Sequence, residues 1–192
     1  MTHVKFAVAE TPLGAFAIAW SDAGIVQTWM HAGTIDRARE QAVRAHPFAA
    51  EAPPPPSIER AMAAVAALQR GEAVQLPGEL DMTGIPEFDQ RVYEIARTIG
   101  AGSTMTYGEI AKALGEEPMR ARDVGIALAR NRFAPIVPCH RVVAAGGKLG
   151  GYSAPGGVAS KRRLLEIEGA VVAVKQPEPL QLDLFTLAAR DT

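Results

Sequence analysis

The chain has 192 residues, 48% of them hydrophobic, with 20 Lys+Arg against 21 Asp+Glu for a formal net charge of -1. That length suits one large domain or two small ones, with enough apolar content to bury a core. No apolar run approaches the roughly 18 residues of a membrane span, and the first residues lack the layout of a signal peptide, so a soluble, cytoplasmic protein is expected. The single cysteine excludes an internal disulfide and any multi-cysteine zinc site, and neither metal nor cofactor is expected.

Residues 4–9, 15–20 and 25–30 read as three strands of a small antiparallel meander, broken by the turn signals at 11–14 and 21–24. Thr34 is placed to cap a helix that runs to about residue 45 and is stopped by Pro47. The prolines at 53–56 predict a stiff linker, after which Ser57 is expected to cap a second helix ending at Gly71. His3, His31 and His46 have no metal-ligand spacing and read as ordinary surface or strand-edge residues.

Pro86 opens a second half. Phe88, Val92, Ile95 and Ile99 recur at helical spacing, and Gly100 ends that helix. Thr106 with Glu109 is a capping box that starts another helix, closed by Gly115. Residues 121–130 then form a further helix, with Val124, Ala127 and Leu128 on one side and Arg122, Gly125 and Ala129 on the other. A helix, a turn and a helix with small residues flanking an exposed arginine fit a helix-turn-helix. Net charge divides unevenly, -3 over residues 1–83, +3 over 84–170 and -1 over 171–192. Between Arg120 and Arg163 nine basic residues face one acid, Asp123, the balance a phosphate backbone would select, although such runs are often only solvated faces.

The only cysteine, Cys139, lies in Pro138-Cys139-His140-Arg141 at the end of an apolar run. A lone cysteine is often a small buried hydrophobe. Here a histidine and an arginine follow directly, and such neighbours are expected to favour the thiolate. The glycines at 146, 147, 150 and 151 permit a tight loop, since no helix with Lys-Ser/Thr follows at phosphate-loop spacing.

The stretch ARDVGIALARNRFAPIVPCHRVVAAGGKLGGYS, with Lys161 and the later Leu-Leu-x-x-Glu-Gly, resembles the O6-alkylguanine-DNA alkyltransferases, also called methylated-DNA-protein-cysteine methyltransferases. The resemblance runs from about Pro86 to Gly169. It implies an α+β fold, with an N-terminal ribonuclease H-like sheet-and-helix scaffold at 1–83 and a mostly helical DNA-binding domain at 84–170. It also implies stoichiometric transfer of an alkyl group from O6 of guanine, with O4 of thymine as an alternative target, to Cys139 after base flipping. Cys139, His140 and Glu168 fit the thiol, relay and carboxylate roles, with Asn131 holding a water and the turn before the cysteine. Tyr107 fits the donor to the leaving guanine, and Val142, Tyr152 and Ser153 the base pocket. Arg122 matches the arginine that enters the minor groove where the nucleotide is extruded, and Thr106, Gly125, Ala129, Arg130 and Arg141 are the other expected DNA contacts. Ile126 stands where the family pattern suggests a smaller residue, and residues 154–157 lengthen the pocket lip, which predicts room for alkyl groups larger than methyl. A related branch has tryptophan for the cysteine and only flags lesions; a Cys-His hydrolase is a further alternative, for which no other signature is present.

After Gly169, residues 171–174 read as a short strand and 175–179 as a linker within a tail spanning 171–192. Gln181, Leu182, Asp183, Leu184 and Phe185 resemble the pentapeptide by which bacterial repair and replication proteins dock on the DNA sliding clamp. The alternative is a tail folded back on the domain. The implied setting is a bacterial, nucleoid-associated monomer whose partner is double-stranded DNA with an alkylated guanine.

Overall fold

The computed structural model describes residues 3–30 and 33–171. Strands β1 (Lys5–Thr11), β2 (Gly14–Ser21) and β3 (Gly24–Trp29) form the expected meander. The sheet is larger and mixed, however. A two-residue β4 (Ala50–Glu51) pairs parallel to β1, giving the order β3-β2-β1-β4. Two residues carry no periodicity, so sequence alone gave no sign of β4.

The central strand β2 explains why helices cover both faces. Ala15, Ala17 and Ala19 alternate with Phe16, Ile18 and Trp20, and all six are buried. Successive strand side chains point to opposite faces. The alanine face receives α1 (Ile35–Ala45) through Ala38 and Ala42, small against small. Thr34 caps α1 as expected, accepting from the Arg37 backbone N–H. The large face packs on α2 (Pro56–Gln69) through Ile58, Ala61, Val65 and Leu68. Ser57 is not the cap of α2. The helix begins at Pro56, whose missing N–H and fixed φ suit a first helical position.

In the second half, α3 (Glu87–Arg97) buries Val92, Tyr93 and Ala96. The Tyr93 hydroxyl donates to the Ala127 carbonyl at 3.0 Å. A short strand β5 (Met105–Thr106) leads into α4 (Tyr107–Ala113), and both halves of the Thr106–Glu109 capping box are made. A 3-10 turn at Pro118–Arg120 connects α4 to α5 (Ala121–Ala129), which buries Val124, Ala127 and Leu128. Cys139–Arg141 is itself a 3-10 turn, followed by β6 (Val142–Val143), which pairs parallel to β5. Helix α6 (Gly157–Ile167) closes the described chain.

One buried cluster runs through both halves, joining Phe16, Ile18 and Leu68 to Tyr93, Val124, Phe133, Cys139 and Leu164. The seam is also hydrogen-bonded. Thr28 of β3 donates its N–H to the Arg132 carbonyl at 2.9 Å and its hydroxyl to the Ala134 carbonyl at 2.6 Å. The segment leading to the cysteine is thus held by the sheet of the first half. Among the described residues, no helix is long and apolar enough to cross a membrane. The expected strand at 171–174, the tail motif and His31 lie outside the described residues, apart from Val171 itself.

Candidate functional site

A cleft of about 480 Å³ opens between the start of α4, the exposed side of α5 and the loop before α6, and Cys139 lies on it. Tyr107, Arg122, Gly125, Ala129, Tyr152 and Ser153 are on its walls. A second cleft of about 260 Å³ reaches Cys139 from the side of Asn131, Ala154 and Pro155. The structure therefore brings together most of the residues singled out in the sequence.

Cys139 is 7% exposed. Burial pushes its thiol above the ordinary range, a shift partly offset by the Asn131 side chain, the Lys161 charge and Tyr152. The groups that favour the thiolate here are therefore not the sequence neighbours His140 and Arg141. In a 3-10 turn successive side chains point about a third of a turn apart, so sequence neighbours need not surround the sulfur. Arg141 is the clearest case. Its Nε and Nη2 donate to Glu168 Oε2 and Oε1, both at 2.9 Å, and Nη1 donates to the Ile99 carbonyl at 2.5 Å. At 4% exposed it is closed to a phosphate backbone, so it is not a DNA contact.

His140 is fully buried, and its Nε2 lies 2.8 Å from Glu168 Oε1. A carboxylate only accepts, so Nε2 carries a proton, and in the neutral ring Nδ1 would present a lone pair. That Nδ1 has no hydrogen-bond partner among the described residues. Burial holds the imidazole below its ordinary value despite the Glu168 hydrogen bond and charge. Burial alone would raise the Glu168 carboxyl, but hydrogen bonds from His140 and Arg141 outweigh it and hold the group at about 2. Glu168 is the C-cap residue of α6, with a side chain 1% exposed.

Asn131 donates Nδ2–H to the Val137 carbonyl and accepts from the Phe133 N–H, each at 2.9 Å, which fixes the approach to the cysteine turn. Among the described residues the buried Tyr152 hydroxyl finds no hydrogen bond of normal geometry, and burial together with the nearby sulfur pushes its ionisation well up. Tyr107 is raised by the same two causes. Gly150 adopts φ +68, and a Cβ there would lie 3.2 Å from the Tyr107 ring. The bare backbone lets the loop close on that tyrosine.

Lys161 is the residue the charge count misread. It is fully buried, and its ammonium donates to the carbonyls of Val142 and Gly151 and lies 5.7 Å from the centre of the Tyr107 ring. Desolvation lowers it to about 8, against the opposing influence of Cys139. The signal was available, since 161, 164, 165 and 168 form one helical stripe shared with the buried Leu164 and Leu165. Of the nine basic residues, Arg130 grips Asp89 through two bonds of 2.9 and 2.8 Å, and Arg120 pairs with Asp123. Arg132 donates to the Asp81 and Thr83 carbonyls. Arg122, Lys148, Arg162 and Arg163 make no ion pair among the described residues. Arg122 stands on the cleft wall beside the exposed Ile126.

Of the described histidines of the first half, neither His3 nor His46 lines this cleft. His46 Nε2 lies 3.2 Å from Gln27 Oε1, and its ring meets Trp29 edge-on.

Residues 87–170 match the family model of the 6-O-methylguanine DNA methyltransferase DNA-binding domain. A methylated-DNA–protein-cysteine methyltransferase of Mycobacterium bovis is 44% identical over 133 residues, 69% of this chain and 74% of that protein. The chain belongs to the methylated-DNA–protein-cysteine methyltransferase family. Its Mycolicibacterium paratuberculosis relative is 33% identical over 182 residues, covering 95% of this chain and 99% of that one. The crystal structure of Mycobacterium tuberculosis OGT in complex with DNA superposes with a TM-score of 0.68 at 36% identity, covering 86% of this chain and 92% of that one. Family membership therefore extends to the first half, beyond the segment whose motifs are legible.

Proposed function

We propose that the chain repairs DNA by moving an alkyl group from O6 of guanine to Cys139, once per molecule. The observation that carries this reading is the chain's only cysteine lying on an open cleft, with a buried His140–Glu168 pair next to it in the chain and in the fold. The thiol gives its proton to His140, and the resulting thiolate attacks the alkyl carbon in line as the carbon–oxygen bond breaks. Guanine leaves as an anion and gains a proton through Tyr107, so a thioether and an unmodified base are formed. Nothing regenerates a thiol from a thioether, so transfer is stoichiometric.

The same reading assigns 84–170 as the reactive DNA-binding unit, with α4 and α5 acting as a helix-turn-helix in the minor groove, and 1–83 as a ribonuclease H-like scaffold. Arg122 fills the stack when the base is flipped, Ala129 lets the α5 backbone approach, and Gly125 keeps the Tyr107 side of the cleft open. Thr106 contacts the backbone at the start of α4, and Arg130, half exposed outside its Asp89 pair, steers the phosphates. Val142, Tyr152 and Ser153 receive the flipped base, and the second cleft beside Ala154 and Pro155 supports tolerance for groups larger than methyl. The protein acts as a monomer on the nucleoid, and the tail residues Gln181 to Phe185 dock on the sliding clamp. Leu184→Ala with Phe185→Ala removes that capture in a pull-down; unchanged capture contradicts the docking role.

The test of the central reading is transfer of a radiolabelled methyl group from a duplex oligonucleotide. Label on the protein is expected to saturate at one equivalent and to be absent in Cys139→Ser. Repeated turnover, or equal labelling of the variant, overturns it.

A further inference from the structure

Arg141, buried and bonded to both oxygens of Glu168, has no role in the relay as described so far. We infer that Arg141 is a positioning residue that keeps His140 neutral and in the tautomer with a free Nδ1, by supplying the positive charge that Glu168 would otherwise draw onto the imidazole. The inference rests on the alkyl-transfer reading for its purpose, though not for its geometry.

Glu168 Oε1 accepts from both His140 Nε2 at 2.8 Å and Arg141 Nη2 at 2.9 Å, while Oε2 accepts from Arg141 Nε at 2.9 Å. Two charge-assisted bonds to a guanidinium neutralise the carboxylate without any proton on histidine. The Arg141 Nη1 bond to the Ile99 carbonyl fixes the guanidinium from the side away from His140. His140 is left to donate through Nε2 only, with an Nδ1 that no described residue pairs. The remaining charged or titratable groups near the imidazole are Lys161 on α6, which also disfavours the imidazolium, and Cys139 in the same turn. Tyr152 and Tyr107 face the sulfur and stay neutral.

This arrangement makes activation of the thiol internal. The resting cluster holds a thiol, a neutral imidazole, a carboxylate and a guanidinium. After the proton moves from Sγ to Nδ1 it holds a thiolate, an imidazolium and the same two charges. No proton is exchanged with solvent, so the reactive fraction is independent of pH between the lowered histidine and the raised cysteine. Without Arg141, a carboxylate in the same buried site recruits a proton onto His140, since an isolated buried anion is unfavourable. Nδ1 is then occupied, and forming the thiolate requires release of a proton to water.

The test has two arms. In the unmodified full chain, nitrogen NMR of the His140 ring, assigned by its loss in His140→Asn, is expected to report a neutral ring protonated on Nε2 between about pH 6 and 8. A doubly protonated ring at neutral pH overturns the inference, and this arm needs neither substrate nor a folded Arg141 variant. In the second arm, single-turnover transfer is followed across the same window. The unmodified protein and Arg141→Lys give a flat profile, whereas the rate of Arg141→Met rises about tenfold per pH unit. A flat profile for Arg141→Met overturns the inference. Transfer that proceeds from a doubly protonated His140 removes this role for Arg141 and leaves alkyl transfer intact; absent transfer with the expected ring tautomer does the reverse.

Discussion

Replacing Glu168 with glutamine separates the two buried donors from their shared anion, and the effect on stability is calculable. The Glu168 carboxyl stands at about 2 in the folded chain against an ordinary 4.5. A depression of that size corresponds to roughly 3 kcal/mol. The sign follows from which state binds the proton first. The unfolded carboxyl protonates at the higher pH, so the contribution is complete above 4.5 and disappears as pH falls towards 2. Glu168→Gln removes it at every pH and leaves Arg141, 4% exposed, without a counter-ion. At neutral pH the variant is therefore destabilised by about 3–5 kcal/mol, the usual loss when one partner of a buried pair is removed. With a urea dependence of about 1–3 kcal/mol per molar, the unfolding midpoint shifts down by about 1–5 M. The assay is urea unfolding of both proteins at neutral pH and at two acid values inside the window. The gap between them should narrow by roughly 3 kcal/mol as pH falls through it. A gap that stays constant with pH would refute the charged, doubly bonded carboxylate.

Other changes act on single elements. Gly150→Ala places a Cβ 3.2 Å from the Tyr107 ring at a φ of +68; backbone strain of about 1–2 kcal/mol and a displaced tyrosine should slow single-turnover transfer about tenfold or more, with circular dichroism unchanged. Thr106→Ala removes the side-chain half of the α4 capping box and should lower stability by about 1 kcal/mol, a fall of about 2–4 °C in melting temperature. Arg122→Ala, at a side chain with no ion pair among the described residues, should slow transfer from duplex DNA about tenfold or more while leaving transfer from the free alkylated base unchanged. Equal loss on both substrates would assign Arg122 to the reactive pocket instead.

Which parts of this molecule are legible in its sequence follows from how local their causes are. The strands β1 to β3, the Thr34 cap and the Thr106–Glu109 box depend on residues within one turn or one alternation, and each lies within a residue or two of its expected place. β4, β5 and β6 are two residues each and exist because a distant strand offers hydrogen bonds, a cause no local pattern carries. The same distinction divides the charged residues. Counting Arg141 and Lys161 as surface cations treated charge as if it were always solvated, whereas the carbonyls of Ile99, Val142 and Gly151 and the carboxylate of Glu168 receive them inside the protein. The stripe through Lys161, Leu164, Leu165 and Glu168 does hold that information. The environment of Cys139 does not follow from its sequence neighbours, because burial and the distant Asn131, Lys161 and Tyr152 act on its thiol.

The most direct measurement is peptide mass spectrometry of the full chain after incubation with a duplex containing one O6-methylguanine, alongside Cys139→Ser. One methyl-sized gain on the peptide containing Cys139, stopping at one equivalent and missing in the variant, is the predicted result. Tight binding to the lesion with no change in mass would contradict the account, because the buried relay through His140 and Glu168 would then have no transfer to serve.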